Sequence, residues 1–503
     1  MIYRNQYLIL KRRVELPEFS VTPLWDGWLL HAHRALRVCI CPENRTLLLG
    51  LAWQTMPGRG APEEELRALK PGADGEVSSE DILRTEETWC GRYVLLSGQR
   101  VFPDATGKRG IYYCADGVAG NLALLAEVLG LPPVSYRPAR QQLNWMPGPL
   151  TPCEPIRRCL PSQIYDMASG TALFRPLLVN DAPALDGEEA LLGEIVRCFD
   201  ESLRNLYRTA GEKKLLSALT GGFDSRALFA LLKHAGVPFT AFTLQHEHIS
   251  APDTIFPPRV CERVGVPYTY IPQDDAHYDV AREAEYISLT SGLIWDADRE
   301  FYAHGQYQQL LRENGPSLLL RSSIWGALAE RYGAAFDSDG PNEVFYEWFG
   351  IADGSLECRS VELYLDWMRV HPQPGLCPAD AFFWDQREGC WMEPIESGFD
   401  LLDGAESLQP ANCRYLLTLL SRFPREMRLT KAYEARIAAY ACPEIADIPY
   451  TLHSGTQSKA AFYLGKVKKA FARLRRMGLK KTVKTYGSIL RHRREVKKFN
   501  KNG

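Results

Sequence analysis

The stretch that decides how this chain is read is Leu215–Leu228, LLSALTGGFDSRAL. An apolar run stops at Gly221-Gly222, and a new pattern, SRALFALLKHAG, runs on from Ser225 to Gly236. The order is that of a buried strand, a short turn and an amphipathic helix, with Gly236 just past the helix end. Backbone N–H groups at such a helix start lack intrahelical partners, and the helix dipole favours an anion there. Two glycines let backbone approach that anion and take positive φ. Thr220 and Ser225 add hydroxyls. Asp224 would repel a phosphate unless a cation lay between them, and magnesium is held that way, by one or two carboxylates plus substrate phosphates. The residues alone leave a second reading open, a tight turn before a helix capped by Asp224 or Ser225. A Walker A loop and a G-x-S-x-G elbow are excluded, because neither pattern occurs.

Working outward, VPFTAFTLQ and VPYTYI read as the next strands, each entered through Gly-Val-Pro, at 236–238 and 265–267. This punctuation suits β-α units of a parallel sheet. TIFPPRVCERVG is expected to start as a loop or broken helix, because Pro257 and Pro258 are tolerated only near a helix start. Upstream, EEALLGEIVRCFDESLRNLYRTA has helical spacing, and Leu177–Ala190, with Pro, Asp and Gly, reads as a linker. Residues up to about Arg175 form short apolar runs between turn residues and read as β-rich, beginning with a strand in MIYRNQYLILKRR. From about Tyr278 to Ala441 the Trp, Tyr and Leu spacing predicts a helical layer whose aromatics are core.

The 503 residues suit two or three domains, and 46% apolar with 24% charged residues is ordinary for a globular protein. No apolar run reaches the ~18 residues of a membrane span, and the N-terminus lacks a signal-peptide core. A cytoplasmic protein is expected. The 13 cysteines are scattered, with only Cys39 and Cys41 close together and no C-x-x-C, so buried reduced thiols are expected rather than structural zinc. The net charge of −2 conceals a basic tail: beyond Gly465 there are fifteen Lys/Arg against Glu495 alone. The acidic body disfavours nucleic acid, whereas the tail, read as a basic amphipathic helix, suits an anionic membrane surface.

Thr220-Gly221-Gly222-Phe223-Asp224-Ser225 resembles the pyrophosphate loop of N-type ATP pyrophosphatases, in particular the asparagine synthetase family. Gly91–Cys114 and Thr151–Gly170 are similar to that family's N-terminal domain, and Asn412–Arg428 resembles its late helix, with an Asn-x-Arg start and a Pro-x-x-x-Arg end. The resemblance implies an α+β, Ntn-hydrolase-like, β-rich domain over 1–175 and a linker over 176–190. It implies an α/β parallel-sheet, HUP-like PP-loop synthetase domain with its helical layer over 191–455, followed by a basic helical tail over 456–503.

The resemblance also implies roles. Thr220, Gly221, Gly222, Phe223 and Ser225 would hold the ATP phosphates, Asp224 would bind Mg²⁺, and Phe242, Thr243 and Leu244 would pass the adenine. The reaction would be adenylation of a small-molecule or peptide carboxylate, followed by attack of an amine. Three departures stand out. Residue 2 is Ile2 where glutamine-using members have a catalytic Cys, so glutamine hydrolysis is not expected. LLLRSSIWGALAERYG replaces the family's second, acidic loop, leaving Arg321 to bind pyrophosphate and Glu330 to reach the metal. Lys459 is assigned as the late catalytic lysine, with Lys431 as the alternative. Asp253 and Thr254 are expected near the nucleotide, and Asp296, Asp298 and Glu300, beside Arg299, are candidates for a substrate pocket. Alternatives are a tRNA-modifying PP-loop enzyme and a degenerate nucleotide-binding or scaffold protein in polysaccharide or peptide assembly. Self-association is left open.

Overall fold

The computed structural model describes residues 3–132, 136, 143–180, 182–245, 251–272, 280–290, 292–294, 297–337 and 340–451. The basic tail, Lys459 and Asp296 lie outside the described residues, and so do the side chains of Asp298, Arg299 and Glu300.

The first 175 residues build two six-stranded antiparallel sheets. One contains Tyr7–Leu10 between Gly117–Ala119 and Leu29–His33; the other is centred on Thr46–Gln54 and Trp89–Ser97. Strand alternation explains the packing. Leu47, Leu49, Val94 and Leu96 face Tyr7, Ile9 and Leu30 between the sheets, while Leu48, Leu95 and Phe102 turn outward onto Leu66 and Ile82 of two short helices. The expected β-rich domain is present. Antiparallel sheets alone do not make it an Ntn-hydrolase fold.

The second half carries a five-stranded parallel sheet, its strands in the order β3-β2-β1-β4-β5. These are β1 (Lys214–Ala218), β2 (Thr240–Leu244), β3 (Tyr268–Ile271), β4 (Ser317–Leu320) and β5 (Ala405–Leu408). Helix α1 (Phe223–Ala235) connects β1 to β2 and α2 (Ala251–Val264) leads to β3. Both expected helix stops occur, with Gly236 at φ 70° and Gly265 at φ 67°. The expectation of a broken α2 is corrected: the helix runs through Pro257 and Pro258. Two prolines remove only two donors, and burial of Val260 and Cys261 in the core holds the remainder. Strand order reverses at β1, with β2 on one side and β4 on the other, so the crevice of such a sheet lies at the carboxyl end of β1.

The helical layer includes Leu356–Val370, a π-helical stretch Phe383–Met392 and Glu393–Phe399. Its aromatics are core as expected; Trp384 is fully buried and donates to the Ala105 carbonyl at 2.8 Å. The two halves share one interior. Leu51 and Trp53 pack with Leu177 and Phe199, and the Trp53 indole donates to Ser202 Oγ at 2.8 Å. The 176–190 segment is a packed strap, with Leu177–Val179 buried and its last residues already helical. Among the described residues, three buried ion pairs cross between the halves: Arg92–Asp400, Lys108–Glu388 and Arg414–Glu86. All thirteen cysteines are free thiols. Among the described residues no helix is long and apolar enough to cross a membrane.

His304, 2% exposed, packs against Tyr286 and Phe399. Burial, aided by the Arg282 charge, pushes its pKa down to about 3. Below pH ~6.5 the unfolded chain therefore takes up a proton that the folded chain refuses, so stability falls from there towards pH 3. His304→Gln should lose about 2 kcal/mol less than wild type between pH 6.5 and 5, read from urea midpoints at the two pH values. Equal losses would show that His304 does not govern the acid limb.

Candidate functional site

The loop 219–222 leaves the carboxyl end of β1 and enters α1. Its N-cap is Gly222, at φ −75° and ψ 172°, and no side chain caps the helix. This removes the reading in which Asp224 or Ser225 serves as the cap. It also corrects the expected backbone: neither Gly221 nor Gly222 takes a positive φ. A Cβ on Gly222 would meet only Thr220 Oγ1, at 3.3 Å, so the glycine leaves bare backbone rather than relieving strain.

Internal hydrogen bonds shape the loop. The Thr220 N–H donates to Ser225 Oγ at 3.0 Å, and the two hydroxyls are 3.0 Å apart. Gly222 N–H donates to Thr220 Oγ1 at 3.1 Å, and Gly221 N–H to buried Asp253 at 3.1 Å. Asp253 thus supports the loop from α2 instead of facing outward. The far side is fixed by the chain at 448–451. Thr451 N–H donates to the Gly221 carbonyl at 2.8 Å, and Tyr450 stacks on Phe223 with ring centroids 4.4 Å apart. The Arg226 guanidinium lies 4.0 Å over Tyr450 and donates to the carbonyls of Ile448 and Pro449.

Asp224, on the first turn of α1, forms an ion pair with Lys431. Lys431 adopts φ 61° at the junction of the helix Arg425–Thr430 with α3 (Ala432–Ala441), an uncommon conformation for a lysine. Its ammonium also stands 3.7 Å from Glu434, which α3 carries one turn later and which is fully buried. Burial would raise Asp224, but the Glu434 carboxyl and the Lys431 charge outweigh it and hold Asp224 below the usual carboxylate range, with Arg331 adding to them. Glu434 is pushed well above its ordinary value by burial first and by the Asp224 charge second. The site therefore combines an open helix N-terminus, a low carboxylate, a high carboxylate and two cations. The same groups fit a metal-bound phosphate chain.

The other expected residues are distributed differently. Phe242 and Thr243 are buried, Leu244 is 9% exposed, and Thr243 Oγ1 donates to the Leu219 carbonyl at 2.6 Å. Arg321 follows β4 on the face of Leu319, opposite the face that packs α1; it pairs with Glu396 at 3.2 Å and lies 4.8 Å over Phe399. Glu330, at φ 41°, accepts the Arg425 Nε–H on both carboxylate oxygens, at 2.8 and 2.9 Å, with Arg428 at 3.9 Å. It does not join Asp224. Glu330, Cys377 and Asp380 lie within 4.8 Å of one another, but Arg425 and Arg428 already neutralise the two carboxylates. Thr254 is half-buried on α2.

Arg331, Glu434 and the Arg226–Tyr450 clamp were not legible beforehand. The one signal in the sequence was the i,i+3 spacing of Lys431 and Glu434, which puts both on one helical face but says nothing of the loop 207 positions away.

No known family profile matches the chain. A tRNA(Ile)-lysidine synthase from Chlamydia pneumoniae is 38% identical over 102 residues, 18% of this chain and 32% of that protein, so the chain spans about a third of that relative's length. Among solved structures, the U34-tRNA thiolase from Methanococcus maripaludis is 13% identical, with 62% of this chain and 80% of that one covered and a TM-score of 0.25. The NH3-dependent NAD synthetase from Campylobacter jejuni is 13% identical, with 40% and 92% covered and a TM-score of 0.22. Scores this low carry no argument. The loop and the sheet it leaves resemble those of PP-loop ATP pyrophosphatases, and the first of these likenesses is consistent with that resemblance. They give no support to the asparagine synthetase family in particular.

Proposed function

We propose that the protein is an ATP-dependent enzyme that forms AMP and pyrophosphate by adenylating an oxygen of its substrate. The observation that carries this reading is the uncapped N-terminus of α1 at the sheet's reversal point, with Asp224 on its first turn and Lys431 against it. In this reading the backbone of Gly221–Ser225 and the Thr220 and Ser225 hydroxyls bind the β- and γ-phosphates. Asp224 would hold Mg²⁺, whose charge offsets that of the phosphates. Lys431, rather than Arg321, would neutralise charge developing on the bridging oxygen; Lys459 remains the alternative. The enzyme's contribution is alignment and charge compensation.

For the substrate we take the carboxylate reading first: attack by a carboxylate on the α-phosphorus expels pyrophosphate, and an amine then displaces AMP to leave an amide. An N-terminal domain of Ntn-hydrolase descent without a nucleophile at Ile2 would be structural, and the amine would come from a substrate other than glutamine. The likeness to a tRNA(Ile)-lysidine synthase favours a second reading, in which a tRNA base supplies the adenylated oxygen. The basic tail would then meet RNA phosphates instead of an anionic membrane surface.

Incubation of the full chain with Mg-ATP separates these readings. Pyrophosphate formed with carboxylate and amine panels supports the ligase, and pyrophosphate formed only with tRNA moves the assignment to tRNA modification. Calorimetric ATP binding with no pyrophosphate in either arm leaves a nucleotide-binding scaffold.

A further inference from the structure

The loop after β4 supplies no second acid to the site, because Glu330 is committed to Arg425 and Arg428. Another carboxylate stands where that acid is needed. Glu434 is fully buried, and neither of its oxygens has a hydrogen-bond donor. Its Oε1 lies 3.7 Å from the Lys431 ammonium, which pairs with Asp224 on its other side, so the two carboxylates flank one cation between α1 and α3. Two ionised carboxylates can only accept. Facing each other inside a protein, they need a cation between them, or a proton.

We propose that Glu434 is the second protein ligand of a divalent-cation site whose first ligand is Asp224, with the Lys431 ammonium holding the cation's place until the metal–nucleotide arrives. The proposal rests on the reading of the α1 loop as a phosphate site. Two carboxylates are a full protein share for magnesium, which takes its remaining ligands from phosphate and water. Lysine suits the placeholder role, being a point charge on a flexible four-carbon stem. Swung aside, it would remain next to the phosphates.

Mn²⁺ serves as the probe, its free-ion spin-resonance signal being titrated with the full chain, with and without α,β-methylene-ATP. Glu434→Gln should weaken Mn²⁺ binding roughly tenfold or more. Its metal-free affinity for the analogue should not fall, nor should its melting temperature, since an isosteric neutral group replaces a buried carboxylate. Lys431→Met should bind Mn²⁺ more tightly than wild type without nucleotide. If wild type binds Mn²⁺ and the analogue but Glu434→Gln binds Mn²⁺ equally well, Glu434 is not a ligand and the nucleotide reading stands. If wild type binds neither, the nucleotide reading itself fails. Should Glu434→Gln not fold, Lys431→Met decides: unchanged or weaker Mn²⁺ binding overturns the proposal.

Discussion

On the proposed reading, Asp224→Ala is expected to lower ATP-dependent pyrophosphate release ~10²–10³-fold or more and to leave the protein folded. The asymmetry follows from the surroundings of the side chain. Its one described ion pair is with Lys431, and the Asp224 side chain keeps 25% of its surface accessible. A partly buried pair of this kind, with solvent still reaching both groups, contributes on the order of 1 kcal/mol. Loss of Asp224 also relieves the neighbouring buried Glu434 of a facing negative charge. Little stability is at stake, whereas the proposed catalytic role is large: without the carboxylate no protein group on α1 holds the metal against the phosphates. The measurement pairs pyrophosphate release with a thermal melt. Near wild-type release combined with a lowered melting temperature would make Asp224 a structural ion-pair partner and remove the loop's assignment.

Arg92→Met costs about 3–5 kcal/mol and is the most destabilising single change expected at the junction of the halves. Arg92, from the strand Trp89–Ser97, meets Asp400, just after the helix Glu393–Phe399, with bonds of 2.7 and 2.9 Å, and donates to the Lys108 carbonyl at 3.0 Å. Both charged side chains are 2% exposed. Methionine fills much of the volume but leaves the Asp400 carboxylate in the interior with Asn5 and Gln6, at 3.3 and 3.2 Å, as its remaining side-chain donors among the described residues. The penalty is that of an uncompensated buried charge, not of a lost contact. Adding Asp400→Leu should therefore restore most of the stability. Urea unfolding of the single and double variants checks this. A single-variant loss below ~1 kcal/mol, or a double variant as unstable as the single, would show that the pair does not lock the halves.

The same junction explains which motifs could be understood early. Asn412 and Arg414, met in the sequence as an Asn-x-Arg start, are contacts to the first half. Asn412 donates to the Gly91 carbonyl and to Asp104, and accepts from Thr106, while Arg414 pairs with Glu86. Asp104, within Gly91–Cys114, is the counterpart of Asn412, while Arg92 of the same stretch reaches Asp400. Each motif was visible alone; that they touch was not, because the partners lie more than 300 positions apart. Arg428, the end of the Pro-x-x-x-Arg pattern, likewise proves to hold Asp380 and the Leu328 carbonyl.

The sequence by itself determined the strand, loop and helix of Leu215–Leu228, the parallel sheet around them and the glycine stops. Those features are local: apolar period, backbone freedom and unsatisfied helix ends act within about a dozen residues. Tertiary structure alone decided what faces Asp224. The acid and cation next in sequence to the β4 loop, Glu330 and Arg321, are drawn away by Arg425 and Glu396, while Lys431 arrives from the junction before α3 and Glu434 from α3 itself. The physical reason is that a charge in a folded interior pairs with whatever packing brings within a few ångströms, and chain order carries almost no information about that distance.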